Sequence, residues 1–334
     1  MEQTALNSVE TSTLRKAEDG RSTSTPVISV SPVVLSAPGR RVALEVRVSA
    51  PVTGSQLPII VFAHGFGSSM DGYAPLASFW AANGFVVIQP TFLDSKTLSP
   101  NPSAKHSEAL ATYLADPASA SIWRVRVEDM KHILDQLDVI EAAIPGLTGR
   151  LDRSRIAAVG HSFGAHTVSM LLGSRVIGAD GSLDEDMSDP RIKVGVLLCA
   201  SGRGGEDLSP FAAEHLSYLN QNYAGLTTST LVVAGDQDYS QLTVRGPEWF
   251  TDAYTLSPGA DWLVTLFGAE HMLGGISGYQ VTETTDENPD RVAAVQQLTW
   301  AYLRSALYSE DPAWTVACEA LQNNPTPQGR VDGK

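Results

Sequence analysis

The 334-residue sequence predicts an α/β fold, a mostly parallel central sheet with helices on both faces. Two observations carry this. Short apolar runs alternate along the chain with segments of helical period, and such alternation means crossover connections and a sheet covered on both sides. A Gly-x-Ser-x-Gly pentapeptide, Gly160-His161-Ser162-Phe163-Gly164, sits between one such run and one such helix.

Taken in order, residues 27–34 and 42–48 read as leading antiparallel strands. Leu57-Pro58-Ile59-Ile60-Val61-Phe62-Ala63 reads as a buried strand running into His64-Gly65-Phe66-Gly67. A helix across 73–82, a strand at 85–89 and a long irregular stretch at 91–120 follow. The spacing of Met130, Ile133, Leu134, Leu137, Ile140 and Ile144 predicts one helix over 122–144. Residues 155–159 read as a strand and 165–172 as a helix. Further strands are expected at 192–198, 229–234 and 262–267. The closing helix spans 289–308, with Val292, Val295, Thr299, Tyr302 and Leu303 on one face. The expected organisation is a loosely attached arm at 1–26, one domain over 27–322 and a polar tail at 323–334. No internal repeat interrupts it.

Composition narrows the function. The chain is 43% hydrophobic, ample for a core, and no apolar run is long enough to span a bilayer. Its net charge of −14 argues against nucleic acid or an anionic membrane surface as partner. The arm is polar and lacks the apolar stretch of a secretory leader, so the expected location is cytoplasmic. A leader removed before Met1 would change that expectation. The two cysteines, Cys199 and Cys318, are expected as free thiols.

The pentapeptide carries the chemistry. A serine on a tight strand-to-helix turn has its hydroxyl exposed, and the flanking glycines let backbones approach closely. A serine hydroxyl needs a base to take its proton and a third group to orient that base. In this setting the acid and then the histidine follow in chain order. The strand at 229–234 ends in Gly235-Asp236-Gln237-Asp238, and that at 262–267 in Gly268-Ala269-Glu270-His271. Open α/β sheets place their sites at such carboxyl ends. The glycine-rich turn after Ala63 is positioned to aim the Phe66 N–H at a developing oxyanion. The Phe163 N–H, next after the serine, supplies the second donor.

These features resemble the α/β-hydrolase superfamily over roughly residues 58–307. Within it the chain is most similar to a branch holding dienelactone-hydrolase-like proteins, platelet-activating-factor acetylhydrolases, chlorophyllases and cutinase-like polyester hydrolases. The resemblance rests on His64-Gly65-Phe66, the turn at Ser162, Gly-x-x-Asp at Gly235 to Asp238, His271, and the helix from Trp123-Arg124 to Asp135-Gln136-Leu137. It implies the α/β-hydrolase fold, and it favours Asp238 over Asp236 as the acid. Dienelactone hydrolases proper use a cysteine nucleophile, so serine here points to ordinary esters. Cutinase-like enzymes are typically exported, and the polar arm departs from that pattern.

The expected activity is therefore cleavage of carboxylic esters of short to medium acyl chain by Ser162, His271 and Asp238, with no cofactor and no metal. The expected partner is a small-molecule ester. The same triad acting on a polyester, lactone or amide, or a non-catalytic binding protein on this fold, are the alternatives. Gly65, His161, Met272 and Phe211 are candidates for the substrate pocket. The segments 91–120 and 200–228 border the site, either as lids or as local covers of the sheet edge. His64 and His161 read as packing or orienting groups, and His166 as a core residue. Asp180, Asp184, Glu185, Asp186 and Asp189 read as a solvated acidic loop, since their spacing does not match an EF-hand.

Overall fold

The computed structural model describes residues 25–278 and 284–334, so the expected arm lies almost wholly outside the described residues. Strands in chain order are β1 (Val27–Leu35), β2 (Leu44–Pro51), β3 (Leu57–Ala63), β4 (Val86–Pro90), β5 (Leu151–His161), β6 (Arg175–Val176), β7 (Ile192–Leu198), β8 (Gln221–Asn222), β9 (Thr230–Gly235), β10 (Ala260–Leu266) and β11 (Gly329–Gly333). Helices are α1 (Ala74–Ala82), α2 (His106–Ala115), α3 (Ser119–Asp135), α4 (Leu137–Ala143), α5 (Phe163–Leu171), α6 (Pro210–His215), α7 (Asp252–Leu256), α8 (Pro289–Leu307) and α9 (Ala313–Gln322).

Among the described residues nine strands form one sheet in the order β1-β2-β4-β3-β5-β7-β9-β10-β11, and β6 pairs with β8 apart from it. From β4 to β10 all neighbours are parallel; β1, β2 and β11 are antiparallel. The interior strands show why. Leu57 to Ala63, Val86 to Pro90 and Thr230 to Gly235 are buried at every position, as strands covered on both faces must be. The outermost β1 instead mixes buried with partly exposed positions.

The connections set the layers. The β3–α1–β4 crossover moves one way along the sheet, while β4–α3–β5 and β5–α5–β7 move the other way. Right-handed crossovers in opposite directions put their helices on opposite faces. Accordingly α1 packs with α8, and α3 packs with α5. Every residue of α5 is buried. The direction reverses between β3 and β5, and α/β sheets open their binding crevice at such a reversal.

The expected mostly parallel α/β sheet is the one observed. Three local expectations are corrected. The irregular stretch at 91–120 contains a ten-residue helix, α2. The single helix over 122–144 is broken at Gln136 into α3 and α4, with Gln136 at φ −103°, ψ 17°. The polar tail at 323–334 is no free tail: its Gly329 to Gly333 form β11, the edge strand beside β10.

Candidate active site

Ser162 sits between the last residue of β5 and the first of α5, at φ 56°, ψ −120°. A side chain other than glycine held at positive φ costs about 1–3 kcal/mol, so the surroundings must impose it. They do so through two backbone bonds: the Ser162 N–H donates to the Leu198 carbonyl (2.9 Å), and its carbonyl accepts from the His166 N–H (3.1 Å). The glycines are sterically required. A Cβ on Gly160 would overlap the Gly164 carbonyl, and one on Gly164 would overlap the carbonyl of Ala63 in β3.

The turns after β9 and β10 bring the other two groups to this serine. His271 Nε2 lies 2.8 Å from Ser162 Oγ, and His271 Nδ1 lies 2.8 Å from Asp238 Oδ2. The carboxylate only accepts, so Nδ1 carries the hydrogen and Nε2 accepts from the serine hydroxyl. Asp238 is 1% exposed, whereas the His271 side chain remains one-third open to solvent. The two turns are laced together. Asp236 Oδ1 accepts from the Gly268 N–H (2.7 Å), and the Gln237 N–H donates to the Ala269 carbonyl (3.0 Å). Asp286 Oδ2 holds the histidine loop, accepting from the N–H groups of Glu270 and Gly274 and from Arg291 Nη1.

Beneath the serine runs a buried polar chain. The Gly65 N–H donates to the Tyr73 oxygen (3.1 Å), and the Tyr73 hydroxyl donates to His161 Nδ1 (2.7 Å). His161 Nε2–H then donates to the backbone carbonyl of His271 (2.8 Å). A carbonyl cannot donate, so the tautomer is fixed. Burial, with His271 beside it, lowers the His161 pKa from 6.5 to about 3. His64 is likewise neutral: burial, then Arg126, pulls it to about 4, and its ring bonds to the Gly65 carbonyl and the Phe92 N–H. A Cβ on Gly65 would sit 3.5 Å from Ser162 Cβ, so the turn after β3 lies against the serine. Phe163 opens α5, and first-turn N–H groups have no intrahelical acceptor.

The sequence profile of the Alpha/beta hydrolase family matches residues 60–328. The chain belongs to that family. It is also 24% identical to platelet-activating factor acetylhydrolase of Cavia porcellus over 195 residues, 51% of this chain. The chain spans 41% of that relative's length.

In this alpha/beta hydrolase the structure brings Ser162, Asp238 and His271 together and sets the Phe66 and Phe163 turns around them. The pocket candidates separate. His161 is wholly buried with both ring nitrogens bonded, and Gly65 is packed between Tyr73 and Ser162, so neither forms an open wall. Met272 is half-buried beside His271. Phe211 is 39% exposed on α6, its ring against His215. Instead, aromatic rings cluster at the two turns. Phe66 meets Tyr113 of α2 (5.1 Å between centroids), and Phe163 stacks on Tyr218 (5.4 Å).

Sequence reasoning missed Tyr73, Tyr113 and Cys199. Cys199 follows β7 at φ 48°, buried near Asp238; burial and then that carboxylate push its thiol pKa well up. The signal lay in its place, one residue past the strand beside the serine. Among the described residues the ligand atoms of His161, Cys199 and His271 lie within 4.8 Å of one another. The hydrogen bonds above already engage both imidazoles. In the acidic loop, Asp184 pairs with Arg124, Asp189 with Arg191, and Asp180 and Asp186 cap turns at Ser182 and Ser188. Among the described residues no helix is long and apolar enough to cross a membrane.

Proposed function

We infer that this protein is a serine hydrolase that cleaves carboxylic esters through an acyl-enzyme. The observation that carries the reading is the pair of 2.8 Å contacts aligning Ser162 Oγ, His271 and Asp238. In this mechanism His271 Nε2 takes the serine proton as Oγ attacks the ester carbonyl. The carbonyl electron pair moves onto oxygen, where the N–H groups of Phe66 and Phe163 receive it. The tetrahedral species collapses as His271 returns the proton to the departing alcohol. Water, deprotonated by the same histidine, then releases the acid. Buried Asp238 fixes the imidazole tautomer and stabilises the imidazolium. No cofactor takes part, and the substrate is a small ester of short to medium acyl chain.

The acetylhydrolase named among the relatives supports a short acyl group, as do the rings crowding both turns. The experiment is turnover of aryl esters across acyl length, with a serine-directed phosphonate. Turnover abolished by one equivalent of phosphonate on Ser162 is expected. Failure of every activated ester, with the phosphonate unreactive, would leave a binding protein on a hydrolase scaffold.

A further inference from the structure

We propose that Arg126, working with Asp94, is the positioning residue of the oxyanion hole. The proposal rests on the ester-hydrolase reading above. Arg126 projects from α3 and is 0% exposed. Its guanidinium carbon lies 4.2 Å from the ring centre of Phe92 and 4.4 Å from that of Phe163. Nη2 donates to the carbonyl of His64, and Nη1 donates to Asp94 Oδ2 at 3.1 Å. The same Oδ2 accepts the Gly67 N–H at 3.3 Å.

These contacts converge on two peptides. The turn that carries the Phe66 N–H is gripped on both sides, at the His64 carbonyl by Arg126 and at the Gly67 N–H by Asp94. The other donor belongs to Phe163, whose ring lies on the same guanidinium. One planar cation thus ties the two halves of the hole, which come from different strands, into a fixed spacing. Lysine cannot reproduce this, because an ammonium lacks both the fork and the flat faces.

A purely stabilising role fits the site poorly. Burying two full charges costs several kcal/mol per ion unless every polar atom is satisfied. Among the described residues, Asp94 Oδ1 and Arg126 Nε have no hydrogen-bond partner. An apolar side chain of similar volume would fill the space between the rings without that cost. It would leave the His64 carbonyl unheld, and Asp94, which holds the Gly67 N–H, without its counter-ion.

The test uses the full chain with Arg126→Met, Arg126→Lys and Asp94→Asn. It reads melting temperature, kcat and KM on an aryl acetate, and affinity for two ketones of one skeleton. The trifluoromethyl ketone adds Ser162 and becomes an oxyanion; the methyl ketone stays neutral. Losing one oxyanion donor outright costs about 10²–10³ in kcat, so displacing its support is expected to cost about 10–10². KM should hold within about twofold. Trifluoromethyl ketone affinity should fall by the same factor as kcat, with the methyl ketone unmoved. Arg126→Met that folds and keeps kcat overturns the proposal. So does equal weakening of both ketones, which marks a general loosening. Should Arg126→Met not fold, Asp94→Asn decides: it keeps an acceptor for Gly67 without the charge, and wild-type kcat there overturns the proposal. Ser162→Ala separates the two readings, since retained ester turnover in it would remove the hydrolase mechanism itself, whatever the ketones do.

Discussion

Tyr73 and His161, 88 residues apart, share a buried 2.7 Å hydrogen bond that couples the two loops meeting at Ser162. Through its oxygen Tyr73 also receives the Gly65 N–H, and through Nε2 His161 holds the carbonyl of His271. The turn after β3 and the histidine loop therefore share one donor–acceptor chain, every member of which is already used.

Replacing Tyr73 by Phe removes the middle link. It leaves the Gly65 N–H and His161 Nδ1 buried without partners, each costing about 1–3 kcal/mol. A lowered melting temperature is expected, and kcat should fall about ten- to hundredfold as the turn relaxes. Stability and kcat measured on the same preparation check this. Unchanged kcat would show that the turn holds without Tyr73.

For the nucleophile, Ser162→Ala should reduce kcat by roughly 10⁴–10⁶-fold with the fold intact. Circular dichroism beside single-turnover kinetics decides it. A loss below about tenfold is incompatible with the mechanism.

The two aspartates of the β9 turn should behave oppositely. Asp238 Oδ2 meets His271, while the Asp236 carboxylate accepts the Gly268 N–H in an exposed turn. Asp238→Asn is expected to cost at least about a hundredfold in kcat, since it reverses the tautomer. Asp236→Asn should cost far less, and the reverse ranking would reassign the acid.

Acid stability should reflect the buried histidines. Burial lowers His166 from 6.5 to about 4, with Nε2 on the Tyr218 carbonyl and Nδ1 without a partner among the described residues. The unfolded chain then binds the extra proton, so the contribution of His166 is complete above pH 6.5 and is lost as pH falls toward 4. The slope is about 1.4 kcal/mol per pH unit. His166→Gln keeps a donor for Tyr218 and removes the titration. Between pH 7 and pH 5 it should lose about 2 kcal/mol less unfolding free energy than the parent. Urea unfolding at the two pH values reads this directly, and parallel losses would place the acid sensitivity elsewhere.

Tyr113 supplies a test of acyl size. Its ring abuts Phe66, and its hydroxyl lies 3.5 Å from that of Tyr218. Rates on aryl esters should favour short acyl chains, and Tyr113→Ala should raise the relative rate on longer ones. A parent preference for long acyl chains would refute the crowded acyl site.

What the sequence disclosed follows from where the constraints are local. The serine turn needs small residues at fixed offsets, so Gly160 and Gly164 announce it in five letters. Asp238 and His271 each stand a few residues past an apolar run, and the chain order expected of the fold points to their proposed roles. Arg126, Tyr73 and Asp94 act through contacts between distant segments, and nothing near them in sequence marks the partner. The break at Gln136 was invisible because α3 and α4 face one core, so the apolar period runs on from Ile133 to Ile140 through it. Helix α2 buries only Tyr113, so its period is faint. Strand β11, Gly-Arg-Val-Asp-Gly, has one apolar residue and takes its shape from β10 rather than from its own composition.

The pairing of β11 with β10 has a consequence for biosynthesis. The strand leading to His271 is made 63 to 71 residues before its edge partner, since Trp262 pairs with Gly333 and Leu266 with Gly329. Until the ribosome reaches those residues, β10 presents a row of unpaired N–H and C=O groups, the kind of edge that recruits foreign strands. A nascent chain stalled before Gly329 would therefore already hold Ser162, Asp238 and His271, yet expose a sticky margin beside them. Chaperone demand should peak in that interval.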